Sequence, residues 1–119
     1  NVAYSTYAKT DVITGFAKGD TLVIANGTGA GEKVDASSEL VKFDPTSAVS
    51  FEQALTQAAA AAGTGKAAWF TWTDGNTYIV QDTDSSKAVL DQNSGDLVIK
   101  LVGSLTLTTD ATLGGITVA

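Results

Sequence analysis

The stretch Ala67-Ala68-Trp69-Phe70-Thr71-Trp72-Thr73-Asp74-Gly75-Asn76-Thr77-Tyr78-Ile79-Val80-Gln81-Asp82 consists of two arms around Asp74-Gly75. Trp, Phe, Tyr, Ile, Val and Thr suit a pleated, half-buried surface. Asp-Gly between such arms is a strong hairpin signal, and it predicts a type I′ turn with positive φ at both central residues. Strict alternation puts Phe70 and Trp72 on one face and Trp69, Thr71 and Thr73 on the other. An indole on each face predicts a hairpin covered on both sides. Asp96-Leu97-Val98-Ile99-Lys100-Leu101-Val102-Gly103 follows an acidic, Ser-rich loop and reads as a buried strand. A hairpin alone is marginal in water, so this third strand, or a helix across the face, must complete the unit.

Working upstream, Ser50-Phe51-Glu52-Gln53 fits a capping box, with Ser50 accepting from the third helical N–H and Gln53 reaching back. Phe51, Leu55, Ala58, Ala59 and Ala62 recur at helical spacing, and Gly63 supplies a stop. The helix from Ser50 to Ala62 is Ala-rich, which combines high propensity with small bulk, so it is expected to lie close on the hairpin. Asp44-Pro45 ends a loosely alternating segment, Val34 to Phe43. Earlier, Asn1 to Lys9 suggests a short strand, the first of two apolar runs around Lys18-Gly19-Asp20 a short strand or turn, Thr21 to Ala25 a strand, and Asn26 to Gly31 a Gly-rich loop. Downstream, Ser104 to Thr108 alternates as a further strand. The apolar Ile116-Thr117-Val118-Ala119 is unusual, because a solvated tail is normally polar. The expected fold is mainly β or α+β: an antiparallel sheet with one Ala-rich helix, about 50–62, in a single domain over residues 1–119.

Composition removes several function classes. The chain has 119 residues, a net charge of −6 and 44% hydrophobic residues, which predicts a folded domain rather than disorder. All seven basic residues are Lys. Without Arg or a basic cluster, neither nucleic acid nor an anionic membrane surface is an expected partner. There is no Cys and no His, so thiol nucleophiles, thiolate metal sites and His-based triads are excluded. No apolar stretch approaches the roughly 18 residues of a membrane span. The residues do not favour a catalytic carboxylate pair, because the acids lie mostly in loops while general acid work needs an apolar pocket. No enzyme is expected.

Two glycine patterns fail as phosphate loops. Gly63-Thr64-Gly65-Lys66 has Ala67 where Ser or Thr should bind magnesium and runs from helix to strand. Gly27-Thr28-Gly29-Ala30-Gly31 has Glu32 at the third glycine position and no helix after it. Asp82-Thr83-Asp84-Ser85-Ser86 offers oxygen ligands at alternate positions, but Lys87 and Asn93 rule out a helix-loop-helix calcium site. What remains is a solvated turn or a looser Ca2+ site on Asp82 and Asp84. Asn26-Gly27-Thr28 matches a glycosylation acceptor, although Asn-Gly in a loop needs no glycan to explain it. Trp69, Phe70, Trp72 and Tyr78 read as core, with a sugar-binding face as the alternative.

Together, Ala68-Trp69-Phe70, Asp74 to Asp82 and Asp96 to Gly103 resemble the carboxy-terminal region of bacterial proteins exported by the type I (ABC transporter) route. The likeness is to surface-layer (S-layer) proteins of the Caulobacter type and related repeat-in-toxin adhesins. Asp11 to Leu22 is similar to the segment following the calcium-binding β-roll in these families. The resemblance covers most of Thr10 to Leu107. It implies a non-enzymatic carboxy-terminal domain that caps an upstream β-roll and carries an uncleaved export signal, with Ile116, Thr117, Val118 and Ala119 as its candidate residues. The implied partners are the type I secretion ABC transporter complex and neighbouring S-layer subunits, at the cell surface or in the secreted fraction. Calcium is implied for the rest of a longer parent chain, since the glycine-aspartate nonapeptides are not in this sequence. Starting at Asn1, the sequence is expected to be a piece of that chain or a processed product. Two competing readings stand beside it: self-assembly by edge addition at Ser104 to Thr108, and a carbohydrate-binding face on Trp69 or Trp72.

Overall fold

The computed structural model describes residues 11–24, 39–63, 66–81, 97–110, 112 and 114–119. The elements in chain order are β1 (Asp11–Ile13), β2 (Thr21–Leu22), β3 (Leu40–Lys42), a 3-10 helix (Pro45–Ser47), α1 (Phe51–Ala62), β4 (Ala67–Thr71), β5 (Thr77–Gln81), β6 (Leu97–Leu101), β7 (Leu107–Asp110) and β8 (Gly115–Val118). The strands form a five-stranded sheet, β1-β6-β5-β4-β3, and a three-stranded sheet, β2-β8-β7. The protein is therefore a β-rich α+β fold. Asn1 to Lys9 and Asn26 to Gly31 lie outside the described residues.

The hairpin and its third strand sit in the middle of the larger sheet. β4 pairs antiparallel with β5 (Phe70 opposite Tyr78), and β5 antiparallel with β6 (Ile79 opposite Ile99). The outer joints differ from the expected antiparallel sheet: β1 runs parallel to β6, and β3 parallel to β4. A parallel neighbour needs a crossover connection, and between β3 and β4 the 3-10 helix and α1 supply it. The turn differs as well. Gly75 has φ of 84° while no residue other than glycine among the described residues has positive φ, so Asp74 does not adopt the type I′ conformation. Gly75 N–H donates to Trp72 C=O at 3.0 Å and Trp72 N–H to Asn76 C=O at 3.0 Å. This is a tight turn over Thr73-Asp74 followed by a glycine bulge, so the loop is one residue longer than a two-residue hairpin.

The amino-terminal end of α1 is capped as the sequence predicts, with one shift. Gln53 N–H donates to Ser50 Oγ at 3.1 Å, but Gln53 Oε1 accepts from Val49 N–H at 2.7 Å rather than from Ser50. At the other end Gly63, with φ of 87°, donates to Ala59 C=O and stops the helix. The helix buries Ala54, Leu55, Ala58, Ala59 and Ala62 against Ala68, Phe70, Tyr78, Val80 and Val98. Ala at most of these positions lets the helix backbone come close to the sheet. Phe51 fills its open end, 4.6 Å from the Tyr78 ring and 5.7 Å from Trp72 between centroids. Such aromatic pairs add roughly 0.5–1.5 kcal/mol each beyond area burial.

The opposite face of the hairpin is covered by the small sheet. Ala67, Trp69, Ile79, Ile99 and Leu101 pack with Leu107, Ile116, Phe16 and Ile24. The molecule thus has three layers, helix, large sheet and small sheet, with the hairpin between two cores. Thr77 marks the point where the chain crosses from one sheet to the other. Its fully buried hydroxyl donates to Gly103 C=O at 2.8 Å and accepts from Leu105 N–H at 2.9 Å. Asn76 Oδ1 accepts from Gly103 N–H at 3.0 Å. Side chains next to the hairpin loop therefore satisfy the backbone that leaves β6 for β7. The expected strand Ser104 to Thr108 is displaced, since its ladder begins only at Leu107 and runs to Asp110.

Substitutions at two positions test these joints. Thr77→Val keeps the shape but leaves Gly103 C=O and Leu105 N–H unpaired, at an expected cost of about 2–4 kcal/mol in urea unfolding. Thr77→Ser, which keeps the hydroxyl, is expected to lose only about 1 kcal/mol. Equal losses for the two variants contradict the bridging role. At Gly115 a Cβ would lie 2.6 Å from Leu22 C=O oxygen, so Gly115→Ala must push β2 from β8. Its expected cost is about 1–3 kcal/mol, with the exchange of amides at Thr21 and Leu22 accelerated.

Candidate functional site

Titratable groups are brought together at the hairpin loop. Asp74 is fixed by its own strand: Oδ1 accepts from Asn76 N–H at 2.9 Å and Oδ2 from the Tyr78 hydroxyl at 2.6 Å. Burial pushes the Asp74 carboxyl up, but the hydrogen bonds from Tyr78 and Asn76, with Lys100 nearby, outweigh it and leave the carboxyl below its ordinary range. Burial, and then the Asp74 carboxylate, raise the Tyr78 hydroxyl well above the usual phenol range. A carboxylate held ionised and a phenol held neutral form a locked hydrogen bond. Neither is poised to exchange a proton near neutral pH, so the pair serves the fold rather than acid-base chemistry.

The two indoles are separated by the sheet. Trp69 is only 5% exposed and faces the inter-sheet core, with Lys42 Nζ lying 5.3 Å from its ring centroid. Trp72 is half-buried on the helix side and borders a hollow of about 340 Å³ with Pro45, Thr46, Ala48, Thr71 and Thr73. They form no common platform, and for Trp69 the core reading describes the structure. A single stacking surface remains at Trp72.

A longer depression follows the flank where β3 and β7 lie side by side. One part, about 430 Å³, is bordered by Lys42, Asp44, Trp69, Thr71, Ser104 and Thr106, among others. The other, about 300 Å³, lies between Leu40, Lys42 and Trp69 on the large sheet and Thr106, Leu107, Thr108 and Thr109 on the small one. Asp44 is engaged at the rim, capping the 3-10 helix through Thr46 N–H at 3.0 Å, and that bond lowers its carboxyl pKa. Among the described residues no three of His, Cys, Asp and Glu gather as a metal site would require. Asp82 and Asp84 fall outside the described residues.

Ile116, Thr117 and Val118 form most of β8, which lies between β2 and β7, with Ile116 fully buried. Ala119 extends the ladder through its N–H to Thr106 C=O at 2.9 Å. The apolar character of this segment is accounted for by its central position in the small sheet. The β3/β7 depression was not legible in the sequence, because the parallel β3–β4 pairing that forms its floor leaves no local pattern. Lys42 two residues before Asp44-Pro45 reads only as an ordinary polar position. Neither a scan against protein-family models nor a search of curated proteins returned a match.

The Asp74–Tyr78 pair makes stability depend on pH at both ends. Asp74 has a lowered folded pKa, so its contribution is complete above about pH 4 and is lost as pH falls below that value toward the folded one. Tyr78 has a raised folded pKa, so its contribution is held below about pH 10 and is lost as pH rises further. Asp74→Asn removes the charge and is expected to flatten both limbs of a urea-midpoint profile measured between about pH 2 and 11. Limbs unchanged in Asp74→Asn assign the dependence to other groups.

Proposed function

We propose that the chain is a non-enzymatic structural and export domain, the carboxy-terminal part of an S-layer or repeat-in-toxin-like surface protein. It carries an uncleaved signal for a type I ABC transporter. The observation that supports this reading most is the sheet order β2-β8-β7. The residues that the resemblance marks for export form a strand made after both of its neighbours and inserted between them. While Ile116 to Val118 are held in an extended form elsewhere, the small sheet lacks its centre and the Trp69–Ile79 face lacks its cover. Recognition of that segment and completion of the fold therefore exclude each other, which suits a signal read before folding and a domain that folds after release. The locked Asp74–Tyr78 pair and the buried Trp69 add support, because a structural domain needs no reaction centre. Calcium in this proposal belongs to the upstream β-roll, and secretion to the cell surface follows from the export route.

The test is a fusion of residues 1–119 behind a slow-folding reporter, in cells with and without the cognate transporter. Export is expected only with the transporter and is expected to fall at least about tenfold when Ile116 to Ala119 are replaced by Ser and Gly. Gly115→Ala, which weakens the fold without altering those residues, is expected to leave export undiminished. Reporter release independent of the transporter removes the proposal.

A further inference from the structure

The small sheet ends at β7, whose outward backbone groups at Leu107 and Thr109 have no partner among the described residues. Ala119 N–H bonds to Thr106 C=O, and β7 pairs with β8 with Thr108 opposite Thr117. Alternation along an antiparallel pair then turns the N–H and C=O of Leu107 and Thr109 away from β8. Neither residue has another backbone partner among the described residues. The remaining sheet edges are shorter: β1 and β3 have three residues each and β2 has two, against four in β7. Short edges and charges such as Lys42 on β3 blunt strand pairing, whereas Leu107, Thr108 and Thr109 carry neither charge nor Pro.

Beside that edge lies a hollow walled by both sheets. Leu40 and Lys42 of β3, with Trp69 of β4, floor the hollow of about 300 Å³ beside Thr106 to Thr109. The hollow lies against the outward backbone of Leu107 and Thr109, where an added strand would run about 4.8 Å from β7. Residues of both sheets wall the hollow, which favours a lone extended chain over the edge of a second folded copy. Such a chain would place one side chain over the half-buried Leu40 and another beside Lys42, which lies over the ring of the buried Trp69. Lys42 is the one charged group bordering this hollow among the described residues, so a carboxylate opposite it is the complementary choice.

We propose that the outer edge of β7, with the ledge of Leu40, Lys42 and Trp69, is a strand-addition site. It takes one extended peptide segment of alternating apolar character that carries a carboxylate facing Lys42. Backbone bonds to Leu107 and Thr109 give the affinity, and the ledge gives the selectivity. The site is independent of the export reading and stands or falls without it.

The probe is a blocked nine-residue peptide of alternating Thr and Val with a central Asp, together with a twin carrying Lys in place of Asp. Both are titrated into 15N-labelled residues 1–119. In the free protein the Leu107 and Thr109 amides are expected to exchange fast, and the Asp peptide is expected to slow them about tenfold or more. The Lys twin is expected to bind about threefold to fivefold more weakly. Thr109→Pro removes only an outward N–H, so it is expected to abolish binding while leaving the β7–β8 pairing and the unfolding midpoint in place. Should that variant not fold, Lys42→Glu decides, with an expected reversal of the preference between the two peptides. Slow exchange at both amides in the free protein, equal binding to Thr109→Pro, an unreversed preference in Lys42→Glu, or no protection at millimolar peptide each overturns the site.

Discussion

The structure depends on a hairpin that is apolar on both faces and so must be covered twice. Phe70, Tyr78, Ala68 and Val80 look one way and Trp69, Ile79 and Ala67 the other, and all are buried. Burying one large apolar side chain is worth roughly 1.5–3 kcal/mol, so leaving either face open would forfeit more than a domain of this size can spare. One cover is helical and formed locally, by the segment between β3 and β4. The other is assembled from chain ends of the described fold, β2 from one side and β7 with β8 from the other.

The second cover is the more demanding one, since its strands come from distant parts of the chain and must be registered on the first sheet. Three devices provide that register. The Thr77 hydroxyl and the Asn76 carboxamide hold the β6–β7 crossover. Gly115 admits the backbone of β2 to within contact distance. Between β1 and β2, the segment 14–20 inserts Phe16 into the inter-sheet core. Non-local pairing of this kind forms slowly and late, because the loop-closure entropy precedes the contacts that offset it. Under the export proposal, this late strand would be read first and folded afterwards.

The same geometry separates the aromatic residues from chemistry. An indole in the inter-sheet core, a phenol hydrogen-bonded to a carboxylate, and acids used as caps leave the described surface without a convergent reactive set. In the strand-addition proposal, recognition falls to the outer edge of β7, where backbone geometry rather than side-chain reactivity would select the ligand.

The central hairpin, the third strand, the helix with both of its stops, and the two-sided burial of the aromatics can all be read from the order of residues. Each of these is written in local periodicity or in turn and cap residues. Composition alone also excludes nucleophilic chemistry that needs His or Cys. The parallel outer joints of the large sheet, the bulge at Gly75 that closes the turn, and the place of Ile116 to Val118 in the middle of a second sheet emerge only from the folded chain. Parallel pairing and sheet order are relations between segments far apart in the chain. They are set by which surfaces must cover the hairpin, and short runs such as Leu40–Lys42 or Thr21–Leu22 carry no pattern of their own that names a partner.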